Sequence, residues 1–121
     1  MRSDEVYSWI RALDVFILPS RTEAFGYVQF EAMACERPVI ATRIEGNLDA
    51  FVDGESGLYV SQSSDEMATA ANRILSDPEL ARRLGRAARE RVVRFFDEAE
   101  MIPVLAFVVQ SVLARPERKA A

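Results

Sequence analysis

The chain has 121 residues, half of them hydrophobic, which suffices for one modest core and one domain. Its 15 Lys+Arg against 19 Asp+Glu leave a net charge of -4, a poor balance for sequence-independent binding to nucleic acid. One cysteine and no histidine exclude an internal disulfide and, within this chain, a zinc site or a histidine-based triad.

The start, Met1-Arg2-Ser3-Asp4-Glu5, is polar and no apolar signal-peptide core follows it. Val6 to Leu13 is expected to be a short helix with Trp9, Ile10 and Leu13 on one side. Val15 to Leu18 is a continuous apolar run closed by Pro19-Ser20, the pattern of a strand buried on both faces in a parallel sheet. Val28 to Cys35 follows as a helix. Pro38 then opens a second buried strand, Val39 to Thr42.

A loop with Gly46 and Asn47 leads to a turn around Leu48 to Val52. The turn-rich run Asp53-Gly54-Glu55-Ser56-Gly57 precedes a third strand, Leu58 to Val60. Ser64 or Asp65 is the expected N-cap of a helix ending near Leu75. Asp77-Pro78 opens the next, on which Leu80, Leu84, Ala88, Val92 and Phe96 keep helical spacing. A last helix is expected from Pro103 to Ala114, with Leu105, Val108, Val109 and Val112 inward, within a terminal helix and tail over residues 98–121. The longest apolar stretch, Met101 to Val109, contains Pro103 and is too short to cross a bilayer. A soluble protein of a reducing compartment, the cytoplasm, is the expectation.

Strands alternating with helices imply an α/β fold, a Rossmann-like parallel sheet with crossover helices. Three strands are half of the usual doubly wound sheet. The chain therefore reads as a compact half-domain or as a fragment of a longer protein, and the fragment is preferred.

One stretch is better explained by chemistry than by packing. In Ser20-Arg21-Thr22-Glu23-Ala24-Phe25-Gly26-Tyr27-Val28-Gln29-Phe30-Glu31, two glutamates flank a loop with one glycine between a strand and a helix start. That geometry sets backbone N–H groups against a phosphate, and carboxylates beside it can hold hydroxyl groups. A capping box does not account for Glu31, because Val28 stands three residues before it. Cys35 has no histidine to activate it and reads as packing. Trp9, Phe16, Phe25 and Phe30 read as core, Phe25 least so because it lies in the loop.

From about Ala12 to Asp97 the sequence resembles the C-terminal part of the retaining, GT-B-fold "group 1" glycosyltransferases. The resemblance runs through Asp14-Val15-Phe16-Ile17-Leu18-Pro19-Ser20, Glu23-Ala24-Phe25-Gly26, Glu31-Ala32-Met33-Ala34-Cys35, Arg37-Pro38-Val39-Ile40-Ala41-Thr42, Asp53-Gly54-Glu55-Ser56-Gly57-Leu58 and Asp77-Pro78-Glu79-Leu80. Each segment is weak alone; six in order are specific. The resemblance implies a partial C-terminal nucleotide-sugar-binding domain over residues 1–121, the second half of a GT-B donor domain. It implies a hexosyltransferase-type activity on a nucleoside-diphosphate sugar, with no cofactor and no metal.

Carried over, Glu23, Phe25 and Gly26 hold the donor sugar. The amides of Phe25, Gly26, Tyr27 and Val28 hold the diphosphate, and Glu31 holds the ribose. No catalytic residue is assigned. The implied partners are a nucleotide-sugar donor, an unidentified acceptor and an N-terminal domain absent from these residues, without which this chain alone is not expected to catalyse transfer. The alternatives are a non-catalytic nucleotide-binding or interaction module and a GT-B sugar-nucleotide epimerase.

Three departures from the family pattern stand out. Glu36 occupies the place of a helix-ending glycine, where a left-handed backbone would cost about 1 kcal/mol relative to Gly. Glu45 and Leu48, in Ile44-Glu45-Gly46-Asn47-Leu48-Asp49, replace a glycine and a proline of a Gly-Gly-x-Pro-Glu loop, with Asp49 in place of its glutamate. No binding role is assigned to that loop. Arg82, Arg83, Arg86, Arg89, Arg91 and Arg94 read as a solvated basic helix face, ahead of a weak peripheral contact with anionic lipid. The terminal helix would cover the open edge of the sheet or drive self-association.

Overall fold

The computed structural model describes residues 3–24, 26–98 and 112–113. Helix α1 (Ser3–Ala12) leads to strand β1 (Phe16–Leu18), helix α2 (Tyr27–Ala34) and strand β2 (Val39–Thr42). A 3₁₀ turn (Glu45–Asn47) and a long loop lead to β3 (Leu58–Val60), followed by α3 (Ser64–Leu75) and α4 (Pro78–Glu98). The strands pair in parallel in the order β1-β2-β3, with Phe16 opposite Val39 and Ile40 opposite Leu58.

Strand alternation explains the layers. Val39 and Ala41 of β2 pack with Tyr7, Ile10, Phe30, Met33, Phe51 and Tyr59 on one side. Ile40 points the other way, to Leu58, Val60, Ala70, Ile74, Leu80 and Leu84. All four residues of β2 are buried, as expected for a central parallel strand. Helix α4 joins both layers: Leu80 and Leu84 belong to the second cluster, Ala88 and Val92 to the first. Val112 is buried in the first cluster, and its carbonyl accepts from the Arg11 guanidinium at 3.1 Å. Phe25 and residues Met101 to Val109 lie outside the described residues, as does the side chain of Phe96.

Several expectations shift. Ser63, not Ser64 or Asp65, caps α3, its backbone extended and its side chain accepting from the Glu66 amide. Asp77 caps α4 as expected, its carboxylate accepting from the Leu80 amide at 3.1 Å. Trp9 is 68 % exposed: α1 turns Tyr7 and Ile10 inward, one turn apart, and Trp9 falls beside that stripe. Leu13, beyond the end of α1, is exposed as well. Strand β1 is not buried on both faces. It is one of the two edges of the three-stranded sheet, and Ile17 is exposed, because α3 packs over β2 and β3.

Glu36 does adopt the left-handed backbone, φ 57°, alone among the described non-glycine residues. It ends α2 in a Schellman motif, with the Glu36 amide donating to Met33 O and the Arg37 amide to Ala32 O, both at 3.0 Å. The six arginines do not share a face. Arg91 turns inward to donate to the carbonyls of Ala50 at 2.9 Å and Asp49 at 3.3 Å, and Arg89 lies 3.9 Å from Glu36. No helix among the described residues is long and apolar enough to cross a membrane.

Candidate functional site

Parallel pairing brings the loops that follow β1 and β2 to the same end of the sheet. Ligands of open α/β sheets bind beyond that end. Glu23 lies in the first of these loops, half-buried, and accepts a hydrogen bond from the Ser20 hydroxyl at 3.2 Å. Gly26, buried, is the N-cap of α2, and no side chain caps this helix start. The positive end of the helix dipole at this start favours an anion. Tyr27 is half-exposed and Val28 partly buried on that first turn. Glu31 follows one turn later, half-buried, and burial pushes its carboxyl above the usual range.

Gly26 does not need glycine for its own backbone, since its φ of −77° suits any residue. A Cβ there would overlap the Gln29 Nε2 and come within 2.9 Å of the Asn47 Oδ1. The missing side chain thus makes room for two buried amides of the protein.

Those amides belong to a polar network that the sequence reading did not assign. The Thr42 hydroxyl, at the end of β2, donates to the Ser20 carbonyl at 2.6 Å. Asn47 donates to the Thr42 carbonyl at 2.9 Å and to its hydroxyl at 3.3 Å, and accepts from Gln29 Nε2 at 3.5 Å. The Tyr59 hydroxyl donates to the Asn47 carbonyl at 2.6 Å, and burial raises its pKa. Phe51 stacks on that tyrosine with ring centroids 4.1 Å apart. The loops also touch through their backbones: the Gly26 amide donates to Gly46 O at 3.3 Å, and a Cβ on Gly46 would overlap the Glu23 carbonyl. One signal was present in the sequence, a glutamine four residues before the core methionine Met33, on the buried side of α2.

Cys35 is a free, buried thiol whose pKa burial pushes up, in keeping with packing rather than reactivity. A cavity of about 580 Å³ lies at the opposite end of the sheet, where Asp14 and Pro38 precede the strands, and Arg37, Arg82 and Arg86 border it.

Residues 1–91 match the family described as glycosyl transferases group 1. The chain belongs to this family. The match takes in α1, which lies ahead of the segments that carried the resemblance. The D-inositol 3-phosphate glycosyltransferase of Streptomyces bingchenggensis is 41% identical over 93 residues, 76% of this chain and 20% of that protein. Sucrose-phosphate synthase from Thermosynechococcus elongatus superposes with a TM-score of 0.71 at 38% identity, over 86% of this chain and 25% of that one. HepE from Anabaena, solved in complex with UDP, shares the fold at 24% identity and a TM-score of 0.71, over 86% of this chain and 27% of that one. This group 1 chain thus spans a quarter or less of the first two relatives' length. The α/β architecture, three parallel strands with flanking helices, is that of GT-B glycosyltransferases.

Proposed function

We propose that the chain binds the nucleoside-diphosphate sugar of a glycosyltransferase that transfers a hexosyl group with retention. The observation that carries this reading is the uncapped start of α2 beyond β1, with Glu23 held in the loop before it and Glu31 one turn inside it. An anionic diphosphate suits the helix start. Carboxylates suit vicinal hydroxyls, because each can accept two hydrogen bonds at once. We assign the sugar to Glu23, Phe25 and Gly26, the diphosphate to the first turn of α2 at Tyr27 and Val28, and the ribose to Glu31, without a metal; the Gly26 amide, placed with the diphosphate by the resemblance, is instead bonded to Gly46 O. The acceptor and an N-terminal domain complete the site from outside these residues, and the lone buried Cys35 suits the reducing cytoplasm.

Calorimetry of the chain with UDP, GDP and ADP and their glucose conjugates tests this. One nucleotide should bind, and Glu31→Ala should weaken it by roughly 1–3 kcal/mol through loss of a charged acceptor. An unchanged affinity in that variant would remove Glu31 from the ribose.

A second reading is a nucleotide-binding module that performs no transfer. Exposed Glu45 and Leu48, beside the loop that holds Glu23, favour it. Donor turnover by the chain joined to its missing domain would exclude it.

A further inference from the structure

We propose that Gln29 and Asn47 are positioning residues for the donor site: a buried amide latch that holds Glu23 and the start of α2 in register without touching ligand. The inference rests on the donor reading above and adds to it the part of the protein that sets its geometry.

Both side chains are fully buried, each 0 % exposed. They lie 18 residues apart, on α2 and in the loop after β2, and meet through Gln29 Nε2 and Asn47 Oδ1. The side-chain oxygen of Gln29, Oε1, is buried with no hydrogen-bond partner among the described residues. Stability alone disfavours such a group, since an apolar side chain of the same volume would leave no buried oxygen unpaired. The latch instead lies on a path to the donor loop. Asn47 bonds to Thr42, Thr42 bonds to Ser20, and Ser20 donates to the Glu23 carboxylate. Gly26 and Gly46 are the two points where the loops close on one another, and each lacks a Cβ that this closure would not admit. Breaking the latch frees the loop after β2 to move, and Glu23 with it.

The position of Glu23 matters to the sugar more than to the nucleotide, so a ligand comparison separates positioning from general damage. Gln29→Met keeps the volume and removes the donor. It should leave the unfolding midpoint of the chain nearly unchanged. It should weaken UDP-glucose, or whichever nucleotide sugar the chain binds, by about 5- to 20-fold, and the free nucleoside diphosphate by less than about threefold. Amide hydrogen exchange at Glu23, Ala24 and Gly26 should accelerate in the same variant without ligand. In an Asn47→Ala background the same change should cost less than about twofold, because one latch cannot be broken twice. Should Asn47→Ala fail to fold, the single variant still decides.

Equal loss of sugar nucleotide and nucleotide, an unaltered exchange pattern, or multiplicative losses in the double variant would each overturn the latch and leave the donor reading standing. Failure of the unsubstituted chain to bind any nucleotide sugar would overturn both.

Discussion

Gly46 and Glu23 touch through their backbones: the place of a Cβ on Gly46 is taken by the Glu23 carbonyl, and no flexible side chain is there to yield. The loop after β2 is thus packed against the loop that carries Glu23, a wall of the candidate site, although its sequence departs from the family pattern at Glu45 and Leu48. Gly46→Ala must push the two loops apart and should cost about 1–3 kcal/mol of stability, as overpacking does. It should also weaken donor binding. Gly54→Ala is the contrasting change. Gly54 has φ 79° and open space around its Cβ position, so it should lose about 1 kcal/mol and leave binding intact. Chemical denaturation and calorimetry on both variants separate the two effects.

Glu36 holds a left-handed backbone that glycine would adopt without strain. Its side chain contributes little in return, since the Arg89 contact is long, at 3.9 Å, and half-exposed. Glu36→Gly should therefore raise stability by about 0.5–1 kcal/mol, read as a higher denaturation midpoint at an unchanged slope. The Glu36 carbonyl sits where a Cβ on Gly85 of α4 would project, so Gly85→Ala should destabilise the same junction.

What could be read in advance follows from how local each cause is. Val39 to Thr42 and Leu58 to Val60 stand as expected because continuous apolar runs between turn residues leave few other structures. The start of α4 is written in Asp77-Pro78, a cap followed by the one proline a helix accepts. The amide latch was not legible, because Gln29 and Asn47 have meaning only once two loops are brought together. Trp9 misled because an apolar residue at helical spacing can fall beside the buried stripe as easily as within it. Arg91 misled for a related reason: its partners, Ala50 and Asp49, lie 41 and 42 residues upstream.

Asp53 gives a pH signature of the loop before β3. Burial raises its pKa, but hydrogen bonds from the Tyr59 amide and the Arg43 guanidinium outweigh that and hold the carboxyl below its usual range. A lowered folded pKa stabilises the protein above the unfolded value, and the contribution disappears as pH falls through the folded one. Asp53→Asn should cost about 1 kcal/mol at neutral pH, given the half-exposed ion pair and one good amide bond. The difference from the unsubstituted chain should vanish in acid. Unfolding midpoints across pH 2 to 7 check it, and a constant difference would remove the charge from the explanation.

Glu31 has the opposite sign. Burial raises its pKa above the ordinary 4.5, so ionisation is costlier in the folded chain than in the unfolded one. Its contribution to stability is full below the unfolded pKa and is lost as pH rises through the folded one. Glu31→Gln should therefore stabilise the ligand-free chain at neutral pH, and that gain should fade in acid. Binding should run the other way, because hydroxyls of a ribose donate best to the ionised carboxylate. Nucleotide affinity should strengthen as pH rises through the Glu31 pKa and be weaker and flatter with pH in Glu31→Gln. The two measurements together identify a group kept charged against its own burial. A variant more stable at neutral pH yet unchanged in affinity would mean that the Glu31 charge holds no part of the nucleotide.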